Sequence, residues 1–188
     1  MERQRRGHAS RCVSGKGPAV TFRASRFVFF LGLGLSGLTV AQAQDSAPVP
    51  IHLSAALPTG THSLQPGQKI SVALTADIDS GWHIYAFPQP PDSPVIATEV
   101  TVRDGQALAL SGEIKPPKAQ SQMDPTVGKE TSIYENSATF DLPLKVARKA
   151  QGKQNLEVDV RYQACSNRMC LPPRTDKVIL PVDISSRH

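Results

Sequence analysis

The sequence has few of the features that build a membrane span, a helical bundle or a metal centre. It contains only three cysteines, one tryptophan and 5% aromatic residues among 188. Its most apolar run, residues 27–40 (FVFFLGLGLSGLTV), has 14 residues, whereas roughly 20 are needed to span the hydrocarbon core of a bilayer. No internal repeat and no long segment with helical periodicity is present. A spanning anchor, a repeat architecture and a helical bundle are therefore disfavoured.

The apolar run is instead typical of an export signal. A basic leader precedes it, in which Glu2 is the single acidic residue, and the small-x-small sequence Ala41-Gln42-Ala43 follows it. This order predicts a secretory signal peptide over residues 1–43, with cleavage after Ala43. No cysteine directly follows the run to accept a lipid, so we expect no stable membrane anchor after cleavage.

The positive charge of the chain belongs mostly to this leader. The leader holds 7 of the 21 basic residues and 1 of the 16 acidic residues, which leaves 14 and 15 and a net charge of −1 for the mature part. Nucleic-acid binding requires a basic patch on the folded domain, and the mature sequence has none. The composition therefore excludes a nucleic-acid partner.

The mature chain is organised as short strands separated by turns. Residues 44–50 are polar and proline-containing and predict a flexible linker, so that one folded domain covers 51–188. Apolar residues alternate with polar ones, the period of half-buried strands, in the segments 69–76, 138–146, 155–162 and 177–184. Shorter strands are predicted over the aromatic-rich segment 81–87 and over 97–103 and 107–110. This pattern predicts an all-β fold, specifically an immunoglobulin-like antiparallel β-sandwich.

Three local predictions accompany this fold. Residues 107–110 are expected to pair with 97–103, and Gln151-Gly152-Lys153 to form a hairpin turn between 138–146 and 155–162. Prolines make regular structure improbable over 113–132, which therefore predicts a long surface loop that covers or carries a site.

Cysteine usage directs attention to one segment. Cys12 leaves with the signal peptide, and Cys165 and Cys170 remain as an even pair in a compartment where disulfides persist. Both lie in YQACSNRMCLPPRT (162–175), which begins at the end of an alternating strand and enters the last strand. This arrangement predicts a hairpin-like tip that places both thiols close together and accessible to solvent.

Three interpretations of the pair remain open at this point. A zinc site is the least favoured, because structural zinc sites use four ligands in short-spaced pairs. A stabilising disulfide is possible, although so small a loop restricts the unfolded chain by only about 2 kcal/mol. A dithiol that cycles by exchange requires an accessible thiolate, and Arg168 between the cysteines would favour the charged form of a thiol or would be a solvated surface charge.

The segment around the cysteines resembles a known family. YQACSNRMCLPPRT, GWHIYAFPQPP (81–91) and SIYENSATFDLPLKV (132–146), on an exported chain, resemble the N-terminal periplasmic domain of the thiol:disulfide interchange protein DsbD. The resemblance covers roughly residues 50–185. It implies an immunoglobulin-like fold and a protein-disulfide reductase component, in which a redox pair passes electrons from a membrane-embedded donor to periplasmic thioredoxin-like proteins, with no metal or organic cofactor.

The resemblance also implies roles for individual residues. Cys165 and Cys170 match the redox pair, with Cys170 as the attacking sulfur, and His83 and Tyr85 match an aromatic strand that lines the site. Tyr162 and Arg168, in the segment that carries the cysteines, are also expected to line the site. A loop that caps the disulfide in the family falls here on Asp124, Pro125, Thr126, Val127, Gly128 and Lys129. Each has a simpler alternative as a core, surface or loop residue.

Two departures from the family pattern affect these expectations. Members of the family carry a membrane domain and a C-terminal thioredoxin-like domain after this module, whereas the sequence given ends at His188. We therefore expect either electron delivery in trans or loss of the redox cycle in this domain. The gap between Cys165 and Cys170 is also shorter than in the best-known members. The alternative function is a secreted β-sandwich that binds a protein or cell surface, with an inert Cys165–Cys170 disulfide.

Overall fold

The computed structural model describes residues 49–186. The predicted signal peptide, its cleavage after Ala43 and most of the linker 44–50 lie outside the described residues. The described part belongs to one compact unit and contains strands, turns and irregular segments. Among these residues, no helix has the length and apolar character needed to cross a bilayer.

Eleven strands of the described chain form three antiparallel sheets. Sheet A has the order β1-β2-β8-β5, with strands Ile51–Ala56, Lys69–Ile78, Ser137–Val146 and Leu108–Leu110. Sheet B has the order β11-β9-β4, with strands Arg174–Ile184, Gly152–Tyr162 and Glu99–Val102. Sheet C has the order β10-β3-β7-β6, with strands Ala164–Ser166, Trp82–Tyr85, Lys129–Glu135 and Gln120–Asp124.

Sheets A and B enclose the main core. Alternating residues of β2 and β8, including Leu74 and Phe140, are buried in one cluster with Leu156, Val158 and Val160 of β9. This inward–outward alternation is what the two-residue period of the sequence predicts for strands with one face on a core. The predicted fold class, an all-β antiparallel sandwich of immunoglobulin-like type, is confirmed.

Two pairings expected from the sequence are wrong. Strand β5 pairs with β8 in sheet A, whereas β4 pairs with β9 in sheet B, so 107–110 does not pair with 97–103. Residues 147–151 connect β8 to β9 across two different sheets and do not form a hairpin turn. Alternation identifies a strand and its buried face, but it carries no information about which strand lies beside it.

The long loop predicted over 113–132 is also partly wrong. Residues 120–124 and 129–135 form the antiparallel hairpin β6–β7, with Asp124 opposite Lys129 and Gln120 opposite Ile133. Strand β6 is almost entirely polar, and backbone hydrogen bonds hold it at the edge of sheet C without a large apolar face. Two further strands, β1 and β10, lack a sequence signal that we identified.

Sheet C differs from the other two sheets because side chains on both of its faces are buried. One face contributes Ile84, Tyr134 and Ala164 to the main core. The opposite face, which we call the disulfide face, carries Cys165, His83, Tyr85, Ile133, Thr131 and Asp124 at alternate strand positions. Tyr85, Ile133 and Cys165 form a second, smaller apolar cluster there. The fold thus separates the cysteine site from the main core by the thickness of a single sheet.

Candidate redox site

Cys165 and Cys170 lie directly opposite each other at the end of strand β10. They form an isolated antiparallel bridge, their Cα atoms are 4.0 Å apart, and their sulfurs are joined in a disulfide. The amide of Ser166 donates to the carbonyl of Met169 at 2.8 Å, and the amide of Leu171 donates to the carbonyl of Ala164 at 2.8 Å. The expected hairpin-like tip and the proximity of the two sulfurs are therefore observed.

The two cysteines differ in their access to solvent, which corrects the expectation that both are exposed. Cys165 has 0% of its surface exposed, whereas Cys170 is partly exposed at the rim of the small cluster. The reason is strand alternation: Cys165 is a β10 residue whose side chain points onto the disulfide face, and Cys170 approaches from the returning turn. A molecule in solution can therefore approach the pair from the Cys170 side.

Tyr85 connects the disulfide to the neighbouring hairpin. Its side chain is buried, its hydroxyl donates a 2.7 Å hydrogen bond to the Asp124 carboxylate, and its oxygen lies 4.0 Å from the sulfur of Cys170. Burial and the adjacent carboxylate raise the pKa of Tyr85 well above its ordinary value. The phenol is therefore a permanent donor beside the sulfur at any physiological pH.

Asp124 is a buried carboxylate held in its charged form. Burial alone would raise its pKa, but hydrogen bonds from Tyr85 and from Thr126 outweigh this effect and lower the pKa below the ordinary value. The amide of Thr126 donates to Asp124 Oδ1 at 2.7 Å, an Asx turn that ties the carboxylate to its own turn. Asp124 is thus both a turn former and a fixed negative charge near the disulfide.

The predicted cap segment, Asp124–Lys129, is the turn of the β6–β7 hairpin. Its sequence explains its shape, because Pro125 presets the turn after Asp124 and Gly128 adopts a φ of 65°, which a residue without a Cβ accepts readily. The amide of Gly128 donates to the Asp124 carbonyl at 2.8 Å. The turn is connected to the disulfide by Asp124, whose carboxylate accepts the hydrogen bond from the Tyr85 hydroxyl beside the Cys170 sulfur.

His83 lies on the disulfide face and is paired in register with Cys165. It is 5% exposed, and its ring meets that of Tyr85 edge-on, with centroids 5.5 Å apart. Burial lowers the pKa of His83, and the nearby carboxylates of Asp124 and Glu135 oppose that effect only in part. The imidazole is therefore neutral at neutral pH.

Tyr162 and Arg168, the other residues assigned to the site from the sequence, have different surroundings. Tyr162 is buried in the main core, and its hydroxyl donates to Asp176 at 2.6 Å. Arg168 is exposed in the turn between the cysteines, and its guanidinium has no hydrogen bond or ion pair with any residue of 49–186. The structure does not bring either side chain into the cluster around Tyr85.

A proline-rich connection between β3 and β4, residues 86–98, packs on the disulfide face, a contact that the sequence pattern did not predict. Val95 packs on the cluster formed by Tyr85, Ile133 and Cys165. The side-chain amide of Gln89 donates to the carbonyl of Ser132 at 2.7 Å, and the Ser132 amide donates back to Gln89 at 3.2 Å. This reciprocal pair fixes the connection to β7. The nearest sequence signal is Gln89, a polar residue between Pro88 and Pro90.

The chemical groups at the site are sulfur, phenol, carboxylate and imidazole. Within the described part of the chain, no group of three or more histidine, cysteine, aspartate or glutamate side chains is arranged to hold a metal ion. An accessible sulfur bonded to a buried one, with charged and proton-carrying groups beside them, suits thiol–disulfide exchange.

Comparison with protein families agrees with this chemistry. The family model described as "Thiol:disulfide interchange protein DsbD, N-terminal" matches residues 54–181. The chain belongs to this family. The match includes both cysteines, His83, Tyr85 and the Asp124–Lys129 turn, so the resemblance noted in the sequence is confirmed. No curated protein matches the chain significantly.

Solved structures give weaker similarities. The reduced N-terminal domain of DsbD from Neisseria meningitidis is 18% identical, with a TM-score of 0.41 over 60% of this chain and 78% of that one. The N-terminal periplasmic domain of ScsB from Proteus mirabilis is 16% identical, with a TM-score of 0.47 over 72% of this chain and 47% of that one. In a complex of the DsbD and PilB N-terminal domains from N. meningitidis, the matched chain is 17% identical, with a TM-score of 0.43 over 73% of this chain and 88% of that one. Family membership therefore depends on the family model.

Proposed function

We propose that this chain is a periplasmic thiol–disulfide exchange module that passes electrons between a membrane reductase and exported proteins through Cys165 and Cys170. The observation that carries the proposal is the unequal burial of two directly opposed, bonded cysteines within a DsbD N-terminal family domain. A component of a protein-disulfide reductase system needs this combination of an approachable sulfur and a protected one.

The proposed reaction has two exchange steps. In the reduced pair, the Cys170 thiolate attacks a partner disulfide, forms a mixed disulfide and releases one partner sulfur as a thiolate. The Cys165 thiolate then attacks Cys170, closes the Cys165–Cys170 bond and releases the second partner sulfur. Two electrons pass to the partner, and the same steps in reverse recharge the pair from a donor dithiol.

Burial supports the assignment of the two roles. An attacking sulfur must be reached by another protein, and Cys170 is the partly exposed one. A resolving sulfur acts only on a bond made by its neighbour, so complete burial of Cys165 does not hinder it and protects it from other reagents. The charged Asp124 and the Tyr85 hydroxyl would position and polarise the Cys170 side of the pair.

Family membership supports a proposal for partners and compartment. We infer thioredoxin-like periplasmic proteins on one side and a DsbD-type membrane donor in trans on the other. The Asp124–Lys129 turn is proposed as the cap over the sulfur, in line with the resemblance of this segment to the family's cap loop.

The test is whether the disulfide opens while the domain stays folded. The mature domain, residues 44–188, is equilibrated in glutathione buffers of graded ratio, free thiols are counted by alkylation and mass, and folding is followed by circular dichroism. Reduction at a mild ratio with an unchanged spectrum supports exchange. A bond that resists reduction until the domain unfolds supports the alternative, a binding module with a structural disulfide.

A trapping experiment tests the roles of the two sulfurs. Cys165→Ala leaves Cys170 unable to be resolved, so it should accumulate mixed disulfides with periplasmic thioredoxin-like proteins. Cys170→Ala is the matched control, because it leaves only the buried sulfur and should trap at least tenfold less. Equal trapping by the two variants would contradict the assignment.

A further inference from the structure

Two buried polar atoms on the disulfide face have no hydrogen-bond partner among residues 49–186. They are Nε2 of His83 and Oγ1 of Thr131. His83 is 5% exposed and Thr131 is 0% exposed. Buried polar groups in folded proteins are nearly always paired, so an unpaired atom calls for an explanation in terms of strain, catalysis or a changing partner.

The position of His83 indicates which partner is involved. Cys165 lies directly across from His83 in the register of β10 and β3, and the two side chains share the disulfide face. Directly opposed residues of an antiparallel pair have Cβ atoms about 4.5–5.5 Å apart. His83 is therefore the polar residue paired across the sheet with the buried Cys165, and both side chains are buried.

The oxidation state explains why the nitrogen lacks a partner here. In the disulfide neither sulfur carries a hydrogen, so Cys165 offers no donor. Reduction gives Cys165 a thiol S–H, and a neutral imidazole has one nitrogen free to accept it. A thiol buried among apolar side chains is held in its neutral form, so it needs an adjacent base to become the thiolate that reacts.

We propose that His83 is the proton acceptor for Cys165, the resolving sulfur; this inference rests on the proposed function. During closure the Cys165 proton moves to the imidazole, the Cys165 thiolate attacks the Cys170 sulfur, and the Cys165–Cys170 bond forms. The bond from Cys170 to the partner sulfur breaks, and that sulfur leaves with the bonding electron pair. The proton then passes from His83 to the departing thiolate or to solvent. In the reverse direction, the imidazolium protonates Cys165 as it leaves.

The charged groups facing His83 are compatible with this cycle. Asp124 approaches from β6, Glu135 from β7 and the Tyr85 ring from β3 itself. Burial keeps the imidazole neutral and ready to accept a proton, while the two carboxylates stabilise the imidazolium during the step. The disulfide face thus provides both the imidazole that accepts the proton and the two carboxylates that offset the positive charge it then carries.

The experiment separates the two exchange steps with 5,5′-dithiobis(2-nitrobenzoic acid) as the probe. The reduced mature domain should release a first thionitrobenzoate as Cys170 attacks and a second as Cys165 closes the bond, both followed by stopped-flow absorbance. We expect His83→Gln, which keeps a polar group but takes up no proton, to slow the second phase at least tenfold. The first phase should stay within twofold of wild type.

The pH profile adds a readout that a purely structural role would not change. In the wild type, the second-phase rate should rise with pH through a value below about 6.5, where the buried imidazole becomes neutral, and then level off. In His83→Gln, it should rise only as the buried thiol itself ionises, above the ordinary thiol value of about pH 8.5. Thr131→Val is the matched control: it removes the other unpaired atom of this face and should retain the wild-type profile.

Several results would overturn the inference. An unchanged second phase in His83→Gln, equal slowing of both phases, or a wild-type profile without the low-pH rise would each do so. If His83→Gln fails to fold, His83→Phe, which keeps the ring edge against Tyr85, must show the same selective loss. A wild-type domain that gives no reaction until it unfolds would instead overturn the proposed exchange function, and this inference with it.

Discussion

The Tyr85 hydroxyl donates to the buried Asp124 carboxylate at 2.7 Å while its oxygen lies 4.0 Å from the Cys170 sulfur. One side chain therefore links the strand beneath the disulfide, the turn of the β6–β7 hairpin and the partly exposed sulfur. A change in the strand, in the turn or at the sulfur therefore alters the surroundings of the other two, and substitutions at Tyr85 or Asp124 should reveal this.

Loss of the Tyr85 hydroxyl should destabilise the oxidised domain. Tyr85→Phe leaves a buried carboxylate without its strongest donor, and hydrogen bonds to charged groups contribute about 1.5–3 kcal/mol. We expect a loss of that size in the free energy of unfolding, measured in urea. Tyr134→Phe is the control, because its hydroxyl donates at 3.3 Å to a neutral carbonyl and should cost about 1 kcal/mol. Equal losses in the two variants would contradict the role given to Asp124.

The lowered pKa of Asp124 predicts a pH dependence with a definite sign. A carboxyl whose pKa is lower in the folded state than in the unfolded state stabilises the fold above the unfolded value of 3.8, and this contribution disappears as pH falls through the folded pKa. The difference in unfolding free energy between wild type and Asp124→Asn should therefore be large at about pH 6 and shrink below about pH 4. Asp141→Asn, at an exposed position of β8, is the control. A difference that stays constant with pH would refute the prediction.

The hairpin turn should depend on Gly128. Its φ of 65° lies in the left-handed region, so Gly128→Ala should cost about 1 kcal/mol of unfolding free energy although nothing lies within 4 Å of the new Cβ. Gly112→Ala is the matched control, since its φ lies outside that region and its Cβ would meet Pro143 at an ordinary 3.5 Å. Thermal unfolding of the two variants should show a drop in Tm only for the first. A Gly112→Ala loss equal to that of Gly128→Ala would indicate a general effect of added side chains.

The unequal burial of the cysteines predicts selective modification. When the reduced, folded domain is treated with iodoacetamide, Cys170 should be alkylated at least tenfold faster than Cys165, because reagents must reach the thiolate. Peptide mass spectrometry after short reaction times measures both rates. In denaturant the two rates should converge, which serves as the control. Comparable rates in the folded state would mean that the buried sulfur opens to solvent on reduction.

Much of the fold was predictable from local pattern, and its assembly was not. The alternation in 69–76, 138–146, 155–162 and 177–184 identifies four core strands, because a half-buried strand must alternate. The pairing of β5 with β8 and the crossover from β8 to β9 depend on long-range packing that one sequence does not encode locally. Strand β6 was hidden because it is polar and lies at a sheet edge.

The sequence indicated candidate residues for the site, but it did not indicate how deeply each one is buried or which core it joins. The spacing of Cys165 and Cys170 and the family resemblance identify the pair, and the same resemblance identifies His83, Tyr85 and the Asp124 turn. The burial of Cys165 follows from which face of β10 it occupies, and the location of Tyr162 in the main core follows from the register of β9. Neither is fixed until the strands are assembled.

Alternate residues of strand β3 face two different environments. Trp82 and Ile84 pack against the main core, while His83 and Tyr85 stand beside the disulfide. Substitutions at Trp82 and Ile84 are therefore expected to change the stability of the main core, whereas substitutions at His83 and Tyr85 are expected to change the surroundings of the disulfide as well as stability. The reactivity of the disulfide can therefore be altered at two alternate positions of one four-residue strand, with a loss of stability where the Tyr85 hydroxyl is removed.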